Sequence, residues 1–150
     1  MKIGWDVSNL KIDAAADELM RRAVKGVTDA CEIIEADAVA QCPQGDHEGA
    51  DTVALAQSIA TRVDVGGHSG AVVTGTVGTG LDYAIYVHEG TGIRSRTGMG
   101  RKHDLPWSYQ DDAGEWHTTS GMEANPFLER AFDANKQRAK QAFREAIKNG

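Results

Sequence analysis

Apolar and small residues recur at alternating steps of four and three from about Asp13 to Ala40, which is the spacing of one helix face. At about 1.5 Å per residue, this predicted helix is roughly 40 Å long and exceeds what a small domain needs. We therefore expect it either to span its own sheet or to pack partly on a neighbouring subunit. Gly26 lies inside it and indicates close approach of another backbone. The stripe consists of Ala16, Met20, Val24, Val27, Cys31, Ile34 and Ala38.

A short helix is predicted from Thr52 to Ser58. After it, the side chains alternate between two faces with a period of two. Ile59 to Val65 reads as a half-buried strand, and Ala71 to Gly78 as its return strand in a hairpin. Tyr83 to Val87 is aromatic and branched, which predicts a third strand inside a small antiparallel sheet. The glycines of Gly90 to Gly92 then predict a flexible exit, with His88 and Glu89 at the base of the next loop.

The last third of the chain predicts a long exposed loop, an aromatic hairpin and a second helix. Leu105 to Tyr109 and Glu115 to Thr119 flank the turn sequence DDAG, so that Trp107, Tyr109 and Trp116 are expected to be neighbours across a ribbon. The second helix is expected to start here, because Asn125 suits a cap and Pro126 suits the first helical position. Glu129 then places an acidic residue in the first turn. The mostly apolar face of this helix comprises Leu128, Ala131, Phe132, Asn135, Ala139, Ala142, Phe143, Ala146 and Ile147.

The order of these elements predicts an α+β fold in which both long helices pack on a small antiparallel β-sheet. The length of 150 residues favours a single domain that comprises residues 1–150, with the exposed loop and hairpin at about 90–122. Composition is ordinary for a globular chain, and no apolar run reaches the roughly 18 residues of a membrane span. The first residues, MKIGWDVSNL, lack the apolar stretch of a secretion signal, so we expect a cytoplasmic protein with no membrane partner. Cys31 and Cys42 are expected to be reduced thiols.

The net charge of −6 is unevenly distributed. Arg94, Arg96, Arg101 and Lys102 lie in one loop with a single acidic residue, Asp104, whereas acidic residues outnumber basic ones two to one in the first 64 residues. This basic loop is able to contact an acidic protein partner or, without sequence preference, the phosphates of DNA. Four cations on an acidic chain indicate weak DNA affinity, so protein contact is favoured.

The candidate catalytic motifs are incomplete. His88-Glu89 resembles the opening of the zinc motif HExxH, but Gly92 stands where its second histidine belongs. The sequence GTVGTG has no following Lys-Ser/Thr, which a phosphate loop requires. We therefore predict no catalytic site, no cofactor and no metal, with a metal hydrolase built on His88, Glu89, His103 and Asp104 as the enzymatic alternative.

Two further motifs consist of Tyr83, Ala84, Tyr86, Val87, Gly90 and Thr91 in YAIYVHEGTG, and of Pro126, Phe127, Leu128 and Ala131 in GMEANPFLERAF. Together with a long first helix ending in Cys-Pro and the segment ALAQSI, they resemble the tail-completion, or head-to-tail joining, proteins of long-tailed bacteriophages. The resemblance extends from about residue 14 to 140. An acidic residue is usual in that family at the position of His88, and Phe often stands at that of Glu89, so the resemblance gives neither side chain a role.

The resemblance implies a structural, non-enzymatic virion protein that forms a ring at the neck, between the head connector and the tail. Its implied partners are further copies of itself in a hexameric or dodecameric ring, the connector or adaptor protein, the tail tube or tail-terminator protein, and the passing genome DNA. A minor head or tail-terminator protein is the nearest alternative. The candidate interface residues are Arg94, Arg96, Arg101, Lys102, Trp107, Tyr109 and Trp116. For Trp107, Tyr109 and Trp116, the alternative to a partner interface is packing against their own domain.

Overall fold

The computed structural model describes residues 12–43, 46–47, 50–67, 72–98 and 106–149. The elements follow the order α1, β1, β2, α2, β3, β4, α3, β5, β6, α4, with one 3₁₀ turn at Gly92–Arg94. None of the described helices is long and apolar enough to cross a membrane. The bounds are α1 Ile12–Gln41, β1 Asp46–His47, β2 Ala50–Asp51, α2 Thr52–Ser58, β3 Ala60–Gly66, β4 Val72–Gly78, α3 Ala84–Glu89, β5 Trp107–Gln110, β6 Trp116–Thr119 and α4 Phe127–Asn149.

The two long helices, α1 and α4, pack side by side in opposite directions. Arg22 near the start of α1 donates from Nη1 to the carbonyl oxygen of Ile147 near the end of α4, at 3.3 Å. Towards the other end of the pair, Asn135 donates from Nδ2 to Oδ2 of Asp37 at 2.6 Å. Gly26 permits close contact, because a Cβ there would lie 3.2 Å from the Cα of Phe143. The close approach predicted from this glycine is therefore confirmed.

The predicted hairpin is confirmed as β3 and β4, which pair antiparallel with Val63 opposite Gly75. Both strands lie against α1. A Cβ at Gly75 would collide with Cys31 and with Val27, whose Cγ1 would be only 2.7 Å away. The strand therefore approaches the helix more closely than any residue with a side chain would allow.

The prediction of a third strand from Tyr83 to Val87 is wrong, because most of this segment forms the helix α3. A strand would point Tyr83, Ile85 and Val87 to the same face. Instead, Ala84 and Val87 are buried three residues apart while Ile85 is exposed, which is helical spacing. The described sheets are consequently three separate two-stranded pairs, and the α+β class is retained.

The buried core lies where the end of α1, α2, α3 and the start of α4 meet. Its largest fully buried side chains are Leu55, Val87 and Phe127. Helix α4 begins at Phe127, one residue later than predicted, because Pro126 was expected at the first helical position. The carbonyl of Pro126 accepts the amide of Arg130 at 3.0 Å. The other core members are Ala38, Cys42, Ala56, Ile59, Ala84 and Ala131.

Candidate functional site

The two motif segments, about 40 residues apart in sequence, form one backbone junction. The amide of Asn125 donates to the carbonyl of Val87 at 3.0 Å, and the amide of Thr91 donates to the carbonyl of Met122 at 2.9 Å. In return, the amide of Met122 donates to Oγ1 of Thr91 at 2.8 Å. The amide of Ile93 donates to the carbonyl of Ser120 at 3.2 Å. We call the segments 87–93 and 120–125 the junction.

Glycines make the junction possible. Gly90, Gly92 and Gly121 have φ values of 75°, 62° and 93°, in the region that side chains disfavour. Added Cβ atoms would lie 2.8 Å from the Met122 carbonyl oxygen at Gly90, and 2.6 Å from the Ser120 carbonyl oxygen at Gly92. The expectation that Gly90 to Gly92 is a flexible exit is therefore wrong, since these glycines are buried and the segment is hydrogen-bonded.

His88 and Glu89 form a close pair beside the core. A hydrogen bond of 2.6 Å joins Nδ1 of His88 to Oε1 of Glu89, and each side chain is largely buried. The imidazole also meets the ring of Phe127 edge-on, with the centroids 5.5 Å apart. The carbonyl of Glu89 accepts the amide of Arg96 at 2.8 Å, so the pair does lie at the base of the loop. The other two residues of the hydrolase alternative, His103 and Asp104, lie outside the described residues.

The basic loop is only partly described. Arg94 and Arg96 are exposed, and Nη2 of Arg96 pairs with Oε2 of Glu129 on α4 at 2.9 Å. Arg101 and Lys102 lie outside the described residues. At least one cation of the predicted interface is therefore engaged by the chain's own carboxylate.

The predicted aromatic hairpin forms, but its three aromatic residues do not share a face. Tyr109 pairs with His117, while Trp116 pairs with Gln110 on the opposite side of the ribbon. The rings of Tyr109 and His117 stack with centroids 5.4 Å apart. Trp107 packs its ring over Gly92, where a Cβ would be 2.8 Å from that ring. The prediction that all three are neighbours is wrong, because cross-strand register decides the face of each.

A group of possible metal ligands at the hairpin turn was missed by sequence reasoning. Ligand atoms of Asp111, Glu115 and His117 all lie within 4.8 Å of one another. In the structure, Nε2 of His117 bonds to Oδ2 of Asp111 at 2.8 Å, and the amide of Glu115 donates to Oδ1. The bond to His117, followed by the bond from the Glu115 amide, lowers the pKa of Asp111. These contacts are those of a hydrogen-bonded turn, which stabilises the hairpin tip.

An apolar groove of about 550 Å³ lies between α1, β4 and α4. Most of its apolar side chains belong to the predicted helix stripes, but Phe132 and Phe143 remain 54% and 37% exposed. Three cations of α4, spaced one turn apart, also line it: Lys136, Lys140 and Arg144. The sequence signal for it was the width of the apolar face of α4, which is broader than one neighbouring helix covers. Its principal apolar lining residues are Val27, Cys31, Ile34, Val77, Phe132 and Phe143.

Both cysteines are free thiols, as predicted, and both are buried. Burial raises the pKa of Cys42, and burial with the nearby Glu35 carboxylate raises the pKa of Cys31. Because the thiolate is the reactive form, both residues are expected to react slowly with an aromatic disulfide reagent at pH 7 and rapidly in guanidinium chloride. Absorbance of the released thiolate measures this. Equal rates in native and denatured protein would contradict it.

Comparisons with models of known protein families, with curated proteins and with solved structures found no match to this chain.

Proposed function

We propose that this chain is a structural subunit of a tailed bacteriophage, which assembles into a homo-oligomeric ring at the head–tail interface and completes the tail or joins it to the head. The observation that carries this proposal is the junction. Val87 and Phe127, one from each motif of the resemblance, are both fully buried, and their segments are joined through Asn125. The motifs thus act together as a fold-defining unit, as expected for residues that specify a subunit's shape.

Two surface features support a role in assembly. The apolar groove leaves aromatic rings open to solvent on the face of a helix pair, and the β5–β6 hairpin carries Trp116 with 72% of its surface exposed. A contiguous exposed apolar patch is typical of an interaction site, and the groove is the feature of this kind. The proposed partners are other copies of the chain, the connector or adaptor protein, and the tail tube or terminator protein. The proposed location is the virion neck.

A protein contact is favoured over a DNA contact for the basic loop. Glu129 already pairs with Arg96, and a DNA-binding surface would require several unpaired cations on one face. We propose that the exposed Arg94 and the rest of the loop meet an acidic surface on a neighbouring virion protein.

The solution mass of the purified chain tests the proposal. Light scattering after size exclusion, over a concentration series, is expected to give a discrete multiple of the monomer mass. Electron microscopy of that fraction is expected to reveal closed rings with a central opening. A chain that stays monomeric at every concentration, or that forms only dimers with no opening, would contradict the proposed ring.

A further inference from the structure

The apolar groove leaves part of its aromatic lining exposed to solvent. Phe132 and Phe143 line it from α4 and remain substantially exposed, while Val27, Cys31 and Val77 form its floor. Its volume of about 550 Å³ lies within the roughly 300–1,000 Å³ of pockets that enclose an organic ligand. It is therefore large enough to receive an aromatic side chain.

The rim of the groove is positively charged. Lys136, Lys140 and Arg144 follow one another at intervals of four residues along α4. Lys136 pairs with Asp133 of its own helix at 3.2 Å. Lys140 and Arg144 have no carboxylate within ion-pair distance in the part of the chain that the structure describes. Two cations are thus available beside the apolar floor.

The tip of the β5–β6 hairpin has the complementary properties. Trp116 is the most exposed of the large apolar residues in the described chain. Three acids precede it closely in the sequence, Asp111, Asp112 and Glu115, and no Lys or Arg occurs from Trp107 to Thr119. An aromatic side chain with acidic neighbours matches an apolar floor with a basic rim.

We propose that the apolar groove of one copy of this chain binds Trp116 and the acidic hairpin tip of a second copy. Trp116 would lie on Phe132 and Phe143, and the tip carboxylates would face Lys140 and Arg144. Groove and hairpin are different surfaces, so the contact is head-to-tail, and repetition of such a contact closes into a ring when the rotation allows. The inference rests on the proposed ring and specifies its subunit contact.

The base of the β5–β6 hairpin is held in place by contacts within its own chain. Trp107 packs over Gly92 at its base, and the junction joins Thr91 to Met122 directly after β6. A projecting segment that is already ordered loses less conformational entropy on association than a mobile one. The anchoring of β5 and β6 therefore favours the contact.

The test uses the full chain and pairs each variant with a control. Trp116→Ala removes the inserted side chain, and Lys140→Glu with Arg144→Glu reverses the rim charge without altering the floor. Val53→Ala, on α2, is the control, since Val53 is similarly apolar and 50% exposed but lies outside the groove. We expect Trp116→Ala to raise the dissociation constant by about 30-fold or more, and Val53→Ala to leave it within about twofold. Far-ultraviolet circular dichroism checks that each variant is folded.

Two mixing experiments test the direction of the contact. Trp116→Ala keeps an intact groove, and the rim variant keeps an intact hairpin, so each is monomeric alone while their mixture forms dimers and nothing larger. In the second experiment, Asp112→Lys with Glu115→Lys is added to the rim variant in the same chain and restores the multimer. Asp111 is left unchanged because it holds the turn.

The outcomes separate the inference from the proposed function. A wild-type multimer that persists in both Trp116→Ala and the rim variant overturns the inference and leaves the ring intact. A wild-type chain that is strictly monomeric overturns the proposed ring and the inference with it. Loss of the multimer in both variants, with dimers in the mixture, supports both.

Discussion

Replacement of Gly121 by Ala is expected to lower the free energy of unfolding by about 3 kcal/mol or more. The residue has a φ of 93°, and an added Cβ would collide with the Thr91 carbonyl and lie 2.8 Å from the Cα of Gly92. All of these neighbours are backbone atoms, which cannot move aside by a change of rotamer. Relief of the clash must therefore break the hydrogen bonds between Thr91 and Met122. Urea unfolding followed by circular dichroism measures the effect.

Gly98→Ala is the matched control for this prediction. Gly98 also has a positive φ, of 76°, but a Cβ there meets no described atom within 4 Å. We expect this variant to lose only about 1 kcal/mol, the cost of the left-handed conformation alone. Equal losses in the two variants would mean that the conformation, and not the contact with residues 91 and 92, determines the cost.

Phe127→Ala is expected to lower the free energy of unfolding by about 3–5 kcal/mol, because it removes a fully buried aromatic side chain. Phe127 lies in the core with Leu55 and Val87 and meets the edge of the His88 ring. Its loss opens a cavity where α2, α3 and α4 meet, and the surrounding backbone is held by the junction. The same urea titration measures this loss, which is expected as a lower midpoint.

Phe132→Ala, further along α4 and on a more exposed face, is the control for Phe127. It removes the same side chain from the same helix at a site that is 54% exposed, so the expected loss is below about 1 kcal/mol. If the groove binds a second copy, Phe132→Ala weakens association while leaving the monomer stable. A loss as large as that of Phe127→Ala would show that the groove is part of the core.

The longer elements were predictable from the sequence because each contains its own periodic signal. The stripe of α1, the alternation of β3, the turn before β6 and the cap of α4 are all local patterns, and each element formed close to its predicted bounds. The segment from Tyr83 to Val87 was not predictable in this way. A run of five residues that is mostly aromatic or branched fits a strand or a helix equally well, and packing of Ala84 and Val87 on the core decided between them.

The surface features were less predictable, because they depend on contacts between distant segments. Nothing local to Gly121 indicates that Thr91 lies against it, 30 residues earlier in the chain. The exposure of Trp116 follows from its pairing with Gln110, which a one-residue shift in register would reverse. The apolar character of the α4 face was visible in the sequence, but the fraction left uncovered depends on where α1 and β4 end.

The polar contact between Asn135 and Asp37 has a mechanical consequence. Asn135 is buried, and its amide nitrogen bonds both to Asp37 on the facing helix and to the Ala131 carbonyl. A lengthwise slip of α4 along α1 would separate the amide from the carboxylate and leave a buried polar group unpaired, at a cost of about 1–3 kcal/mol. This buried contact therefore opposes lengthwise sliding of α4 along α1 when the helix pair is under tension.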